Sequence, residues 1–295
     1  MVLFERLVIL GVGLMGGSLA LAAKKAGVVT TVVGWSRRES TLQTALDNKV
    51  IDVAEKDLSA ALKGADCVVV ATPTILAESI MIQVLEQMPE SVIVTDVASV
   101  KGNIARALTQ RFAKVPSNVV LAHPIAGSEQ SGVAAAKVDL YQDHRVILTK
   151  ETNTDADALQ KVQQLWSAVG AEVFEMSTAE HDHILALTSH LPHLLAYTLV
   201  AQLSADRQSS DVFKFAAGGL RDFTRIASSD PRMWQEILLA NKDQVRQSIK
   251  DFEQQLSKLD QLLEAGNADK LEQVFTAVKS SRDDFAKELA ARKKH

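Results

Sequence analysis

Cysteine occurs once in the 295 residues, at Cys67. A single thiol forms no internal disulfide, which excludes a disulfide scaffold and suits a reducing compartment. It lies in the run Cys67-Val68-Val69-Val70, so a place in the core is expected. Excess charge of either sign is also scarce: 32 Lys and Arg oppose 36 Asp and Glu, a formal net charge of -4. That balance gives no reason to expect nucleic acid or an anionic membrane as a partner. The first residues lack the cationic start, apolar stretch and cleavage site of a secretory signal. No uninterrupted apolar run reads as long enough to span a membrane, so the cytoplasm is the expected compartment. Internal repeats and low-complexity segments are missing too.

What is present is core-forming material: 47% of residues are hydrophobic and 23% charged, in a chain long enough for two domains. β-rich runs at 7–10, 31–34, 67–71, 92–95, 119–122 and 146–149 are expected to be strands. Helical patterns at 15–26, 40–48, 75–88 and 155–168 separate several of them, and 172–174 reads as one more strand. Apolar strands alternating with helices predict a Rossmann-type, mostly parallel sheet over residues 1–175. From 176 to 295 the strand signal stops and an all-α domain is expected. One helix is predicted over 179–204. A second starts at Asp230-Pro231, with Asp as N-cap and Pro at the first helical position, and runs to Gly266. Its stripe is Trp234, Leu238, Val245, Ile249, Phe252, Leu256, Leu259 and Leu263, which assigns Trp234 to core packing. A last helix covers about 268–292. Stripes this long predict a homodimer.

Gly11-Val12-Gly13-Leu14-Met15-Gly16 follows the first strand and opens a helix. In that context the pattern is a dinucleotide site: the first glycine makes the turn, the second admits the pyrophosphate and the third lets helix and strand pack. Free amides at the helix start then bind the phosphates, which assigns Gly11, Gly13, Leu14, Met15 and Gly16 to the cofactor. The second strand ends in Ser36-Arg37-Arg38, without the acid that would accept from a ribose 2′-hydroxyl; Glu39 is the nearest. A hydroxyl and two guanidiniums suit a 2′-phosphate, so NADP is the favoured cofactor and NAD the alternative. Thr72 and Pro73, in the turn after the third apolar strand, are expected to touch the cofactor as well, as is Asp96.

Four further segments complete a pattern. They are Thr95-Asp96-Val97-Ala98-Ser99-Val100-Lys101-Gly102, His123-Pro124-Ile125-Ala126-Gly127-Ser128-Glu129-Gln130-Ser131-Gly132, Ser189-His190-Leu191-Pro192-His193, and Gly218-Gly219-Leu220-Arg221-Asp222-Phe223-Thr224-Arg225-Ile226-Ala227, followed by Asp230-Pro231-Arg232-Met233-Trp234. With the glycine motif they resemble the prephenate/arogenate (cyclohexadienyl) dehydrogenases, over residues 5 to 250. The chain departs from that pattern in a shortened glycine run at Ala217-Gly218-Gly219 and in the missing acid after the second strand.

The resemblance implies hydride transfer to nicotinamide from the ring carbon that bears the hydroxyl, with loss of the ring carboxylate as CO2. It makes His123 the catalytic proton acceptor and puts Ser99 beside the ring hydroxyl, where a helix N-cap is the competing use. It makes Arg225 the clamp on the ring carboxylate and gives His193 to the substrate. His190, Arg221 and Glu129 are the other expected substrate contacts. A core place competes for His190 and a surface ion pair with Asp222 for Arg221. An acid at Glu129 would suit the amine of arogenate, whereas other polar groups would suit the keto acid of prephenate; the choice stays open. Lys101 reads as a helix surface charge. Pro192 should kink its helix. Zinc on His190 and His193, aided by His181 and His183, lacks supporting ligand spacing, and no metal is expected. A β-hydroxyacid-type dehydrogenase and a non-enzymatic dinucleotide sensor remain the competing readings.

Overall fold

Successive residues of the first strand point to opposite faces of one sheet. In the computed structural model, Leu7 and Ile9 enter one buried cluster while Val8 and Leu10 enter another. The structure describes residues 1–127, 130–207 and 209–292. Its strands are β1 (Phe4–Leu10), β2 (Val29–Trp35), β3 (Val53–Glu55), β4 (Cys67–Val70), β5 (Ile93–Asp96), β6 (Val119–Pro124), β7 (Arg145–Thr149) and β8 (Glu172–Met176). They form an eight-stranded sheet in the order β3-β2-β1-β4-β5-β6-β7-β8. All neighbours run parallel except β6 and β7. Both faces are covered, which is why these strands read as unbroken apolar runs. Cys67 is buried as expected, and burial pushes its thiol up.

The helices of this layer are α1 (Leu14–Ala26), α2 (Glu39–Asp47), α3 (Leu58–Leu62), α4 (Thr74–Gln87), α5 (Gly102–Phe112) and α6 (Ala156–Ala168). β3 and α3 are not expected from the sequence, whereas α5 is the helix expected after Ser99. The first two are three and five residues long, too short for a period to show. A helical region follows, with α7 (Thr178–Leu185), a π turn at Ala186–His190, α8 (Leu191–Ala205), α9 (Ser209–Lys214), α10 (Gly218–Thr224), a 3-10 turn at Arg225–Ser228, α11 (Pro231–Ala240), α12 (Lys242–Glu264) and α13 (Ala268–Arg292).

Three expectations need correction. The predicted helix over 179–204 contains the π turn, which ends just before Pro192 removes an amide donor from the ladder. The helix starting at Pro231 is two helices that part at Asn241, whose side chain is committed elsewhere. Thirdly, Thr178–Ala205 is long and apolar enough to cross a membrane by length and composition. However, it carries Asp182, which accepts hydrogen bonds from main-chain amides at the start of α5. Its polar groups are thus spent on the parallel-sheet layer. The chain divides into two compact units, Met1–Gln244 and Val245–His295.

α1 approaches β1 closely because Gly16 has no side chain. A Cβ there would strike Gly11 O, Ile9 Cγ2 at 2.7 Å and Ala71 Cβ at 2.9 Å, whereas a Cβ on Gly13 would meet nothing within 4 Å. Gly16→Ala should therefore lower unfolding free energy by about 1–3 kcal/mol, the usual cost of overpacking. Gly13→Ala should change it by less than about 1 kcal/mol. Denaturant melts of the two apo variants check this, and equal losses would count against the packing argument.

Candidate active site

Gly11 adopts φ +103°, which L side chains rarely tolerate, and a Cβ there would meet Ala71 O at 2.5 Å. Only glycine makes this turn from β1 into α1 against the end of β4. Gly13 is the N-cap of α1; no side chain caps that terminus and no acid stands in its first turn. The first main-chain bond of the helix runs from Gly17 N–H to Gly13 C=O at 2.9 Å. The amides of Leu14, Met15 and Gly16 therefore precede the hydrogen-bonded ladder. The hydroxyl of Thr72, across this crevice, is buried without a partner among the described residues, and Pro73 beside it is exposed. An uncapped helix terminus over an open glycine fits a dinucleotide pyrophosphate.

At the end of β2, Ser36 Oγ accepts the Arg38 amide at 3.2 Å, which fixes the turn. Arg37 and Arg38 are exposed. Glu39 pairs with Lys56 at 3.1 Å on the surface.

His123 lies inside β6, opposite Ile147 of β7, not just beyond the strand as expected. It is 8% exposed. Its Nδ1 is 2.8 Å from His181 Nε2, and His181 Nδ1 is 2.8 Å from Asp182 Oδ1. The two carboxylate oxygens of Asp182 also accept the Lys101 amide at 3.0 Å and the Gly102 amide at 2.8 Å. An ionised carboxylate only accepts, so His181 must donate from Nδ1 and accept at Nε2. His123 must then donate from Nδ1, which leaves a lone pair on its Nε2. The chain of bonds thus specifies the tautomer of a proton acceptor.

α7 is placed for this by a capping box. The Ser177 hydroxyl accepts the Glu180 amide at 3.2 Å and Glu180 accepts the Ser177 amide at 2.8 Å. Burial, then His181, Lys101 and His190, hold His123 well below the usual imidazole range. Burial also lowers His181, against the pull of Asp182. Burial opposes ionisation of Asp182, yet the hydrogen bonds from His181, Lys101 and Gly102 keep its carboxyl below the ordinary range.

Lys101 is not a surface charge: it is 0% exposed, and its ammonium bonds Asp96 and, at 2.8 Å, Ala122 O. Asp96, expected on the cofactor, is instead enclosed and takes the amides of Ala98 at 2.9 Å and Ala122 at 3.0 Å besides Lys101. Such a pair is costly to break, since removal of one partner leaves a buried charge at about 3–5 kcal/mol. Burial lowers Lys101, with Asp96 pulling the other way. Ser99, half-buried, is not the N-cap of α5; that position falls to Lys101.

His190 is 1% exposed, as a histidine with a core place would be. Its Nδ1 faces Asn241 Nδ2 at 3.2 Å, and the same amide group donates to Asp182 O at 2.8 Å. His193 donates from Nδ1 to Ser189 O at 2.8 Å, and its ring stacks on Trp234 with centroids 3.5 Å apart. Trp234 packs on Val100 and Ile237, as the stripe predicted, and its Nε1 has no partner among the described residues. Burial and the nearby Arg225 cation lower His193, despite its bond to Ser189. Arg225 therefore stands within electrostatic reach of His193. Arg221 is exposed and pairs with Asp222 at 3.0 Å, which puts it to the competing use. Glu129 lies outside the described residues. A cavity of about 390 Å³ lined by Glu90, Ser117, Asn118 and Asp155 opens at the other end of the sheet, away from these groups.

From the sequence, Asp182 and Asn241 have no expected part, His181 enters only as an aid to zinc and Lys101 reads as a surface charge. A His-Asp pair one helical turn before Leu185, on the same buried face, was the available signal.

Burial of neutral imidazoles has a consequence for acid stability. His190 is pushed from 6.5 down to about 4, so the unfolded chain binds its proton first as pH falls. The stability this group contributes is complete above about 6.5 and is lost on acidification towards 4. His123 and His181 shift in the same direction. Urea midpoints should fall across this window, and less steeply in His190→Gln; equal slopes would refute the assignment.

Residues 19–175 match the family described as prephenate dehydrogenase, nucleotide-binding domain, and residues 177–291 match prephenate dehydrogenase, dimerization domain. The chain is 32% identical over 285 residues to the cyclohexadienyl dehydrogenase of Zymomonas mobilis, covering 96% of each chain. It is 36% identical over 287 residues to the prephenate dehydrogenase of Bacillus subtilis, covering 95% of this chain and 76% of that one. The crystal structure of Aquifex aeolicus prephenate dehydrogenase, in complex with hydroxyphenyl propionate and NAD+, superposes with a TM-score of 0.88 at 34% identity, covering 95% and 98% of the two chains. With both halves matched in order and the whole fold shared, this chain belongs to the prephenate dehydrogenase family.

Proposed function

We propose that this protein oxidises and decarboxylates prephenate, arogenate or both, with a nicotinamide cofactor, in the synthesis of tyrosine. The observation that carries this reading is the hydrogen-bonded chain from Asp182 through His181 to His123, which presents Nε2 of His123 as an acceptor.

His123 takes the hydroxyl proton at Nε2 as the ring carbon is oxidised, and the charge it gains is shared through His181 with Asp182. Ser99 orients the ring hydroxyl. Arg225 grips the ring carboxylate, with two parallel donors that fix the ring until that group leaves as CO2. His193, held flat against Trp234, offers its other nitrogen to the substrate. Gly11, Gly13, Leu14, Met15 and Gly16 hold the pyrophosphate, with Thr72 and Pro73 alongside. The nicotinamide, when bound, supplies the hydride acceptor. Residues 1–175 act as the cofactor domain and 176–295 as the substrate and dimerisation domain of a cytoplasmic homodimer.

NADP is the cofactor we favour. Arg37 and Arg38 are exposed beside Ser36, and Glu39 is engaged by Lys56, so the turn offers cations and no ready acid. Arg37→Ser with Arg38→Ser should raise KM for NADP about tenfold or more, the worth of a charge-assisted bond, while KM for NAD stays within twofold. A wild-type preference for NAD in initial rates would overturn this.

His123→Asn should lower kcat by about 10²–10⁴-fold and leave cofactor KM unchanged. Arg225→Ala should raise substrate KM tenfold or more, from the loss of about 1.5–3 kcal/mol. Initial rates with each substrate and each cofactor test both; full turnover by His123→Asn would reject the mechanism.

A further inference from the structure

The parallel ladder between β5 and β6 ends at the pair Thr95 and Val120. Two residues later, Ala122 still has both main-chain groups held on that side, by side chains instead of a strand. Its N–H donates to Asp96 Oδ1 at 3.0 Å and its C=O accepts from Lys101 Nζ at 2.8 Å. Ala122 directly precedes His123. The main chain of Lys101 and Gly102, meanwhile, holds the carboxylate of Asp182, the far end of the relay onto His123. The segment around Lys101 therefore grips His123 twice, through the backbone beneath it and through the imidazole beside it.

We propose that the buried Lys101–Asp96 pair is a positioning device for His123: it takes the place of the missing strand partner at Ala122 and fixes the imidazole against its relay. The need for an ion pair here follows from geometry. A strand that continued the ladder would cover the carboxyl edge where ligands enter, whereas two side chains satisfy Ala122 from below and leave that edge open. Neither group touches substrate, since both are fully buried. The ammonium also belongs to the electrostatic surroundings of His123. The groups that act on His123 are His181 on α7, Lys101 at the N-cap of α5 and His190 in the π turn; Asp182 and Asp96 stand behind them, bonded to His181 and to Lys101. Among them Lys101 opposes protonation of His123, alongside burial and the two imidazoles.

The inference rests on His123 as the proton acceptor, so His123→Asn is measured beside it. Lys101→Met alone strands a buried carboxylate and risks misfolding, so the deciding protein is the neutral pair Asp96→Asn with Lys101→Met. In that variant, verified as folded by melting and by retained binding of NADPH or NADH, kcat should fall about tenfold to a hundredfold, as a small misplacement of a catalytic group costs. Cofactor KM should stay within twofold. Cation and anion leave together, so the acid limb of the kcat/KM profile should keep its position, which separates misplacement of His123 from a change in its charge surroundings. In the His123→Asn background the same pair of substitutions should cost nothing further. A folded variant with wild-type kcat overturns the proposal, as does a loss that adds in full to that of His123→Asn. Full activity of His123→Asn itself would instead remove the functional reading beneath it.

Discussion

Asp182 has to be ionised in a region from which water is mostly excluded, and the rest of the site follows from how that is achieved. Two main-chain amides at the start of α5 and one imidazole donate to it, enough to outweigh the cost of burial. Once the carboxylate is charged, it can only accept. Each imidazole behind it then has one donor and one acceptor, and the direction of every bond is decided as far as His123 Nε2. The same bonds tie α7 to the layer that carries the glycine turn. Orientation of the base and attachment of the helical region to the sheet are therefore one interaction.

The electrostatics around His123 oppose its protonation at rest. Burial and three neighbouring basic groups keep the imidazole neutral well into the acid range. A neutral imidazole of this kind is free to accept over a wide pH span but gains little from taking a proton in isolation. In the proposed reaction the relay would offset that weakness, since His181 and Asp182 are already oriented to share a positive charge on His123.

Much of this was legible in the sequence wherever a residue type has few uses. Glycines at the start of a helix after an apolar strand report a close approach, and the structure uses Gly11 and Gly16 in that way. His123 stands at the end of an apolar run, but its role came from motif resemblance, since a loop histidine would show the same local pattern. Arg225 and His193 came from motif resemblance, and their proximity is a tertiary fact that no local pattern carries. The misreadings have a common physical cause. Lys101 and Asp96 are five residues apart and are enclosed together only because β6 brings Ala122 to both, and the partner of His190 lies 51 residues on; local statistics place such groups in solvent or on ligands. The break at Asn241 was hidden because Leu238 and Val245 stand seven apart, a spacing that two helical turns also give. Only the commitment of the Asn241 side chain to Asp182 and His190 explains why the helix yields there.

Topology explains why one edge of the sheet collects all of these parts. β1, β4, β5 and β6 are consecutive neighbours and parallel, so their carboxyl ends emerge side by side. Gly11, Thr72, Asp96 and His123 follow in that order, and three strand spacings separate the first from the last by about 14 Å. A ligand laid along this row meets the phosphate cradle at one end and the imidazole at the other. β7 then enters in the opposite direction, so no further carboxyl end continues the row beyond β6. The antiparallel step thereby makes His123 the last residue of that row. On the helical side His193 is stacked on Trp234, which packs on Val100 just before Lys101, so the two halves meet at the same segment that holds Ala122 and Asp182.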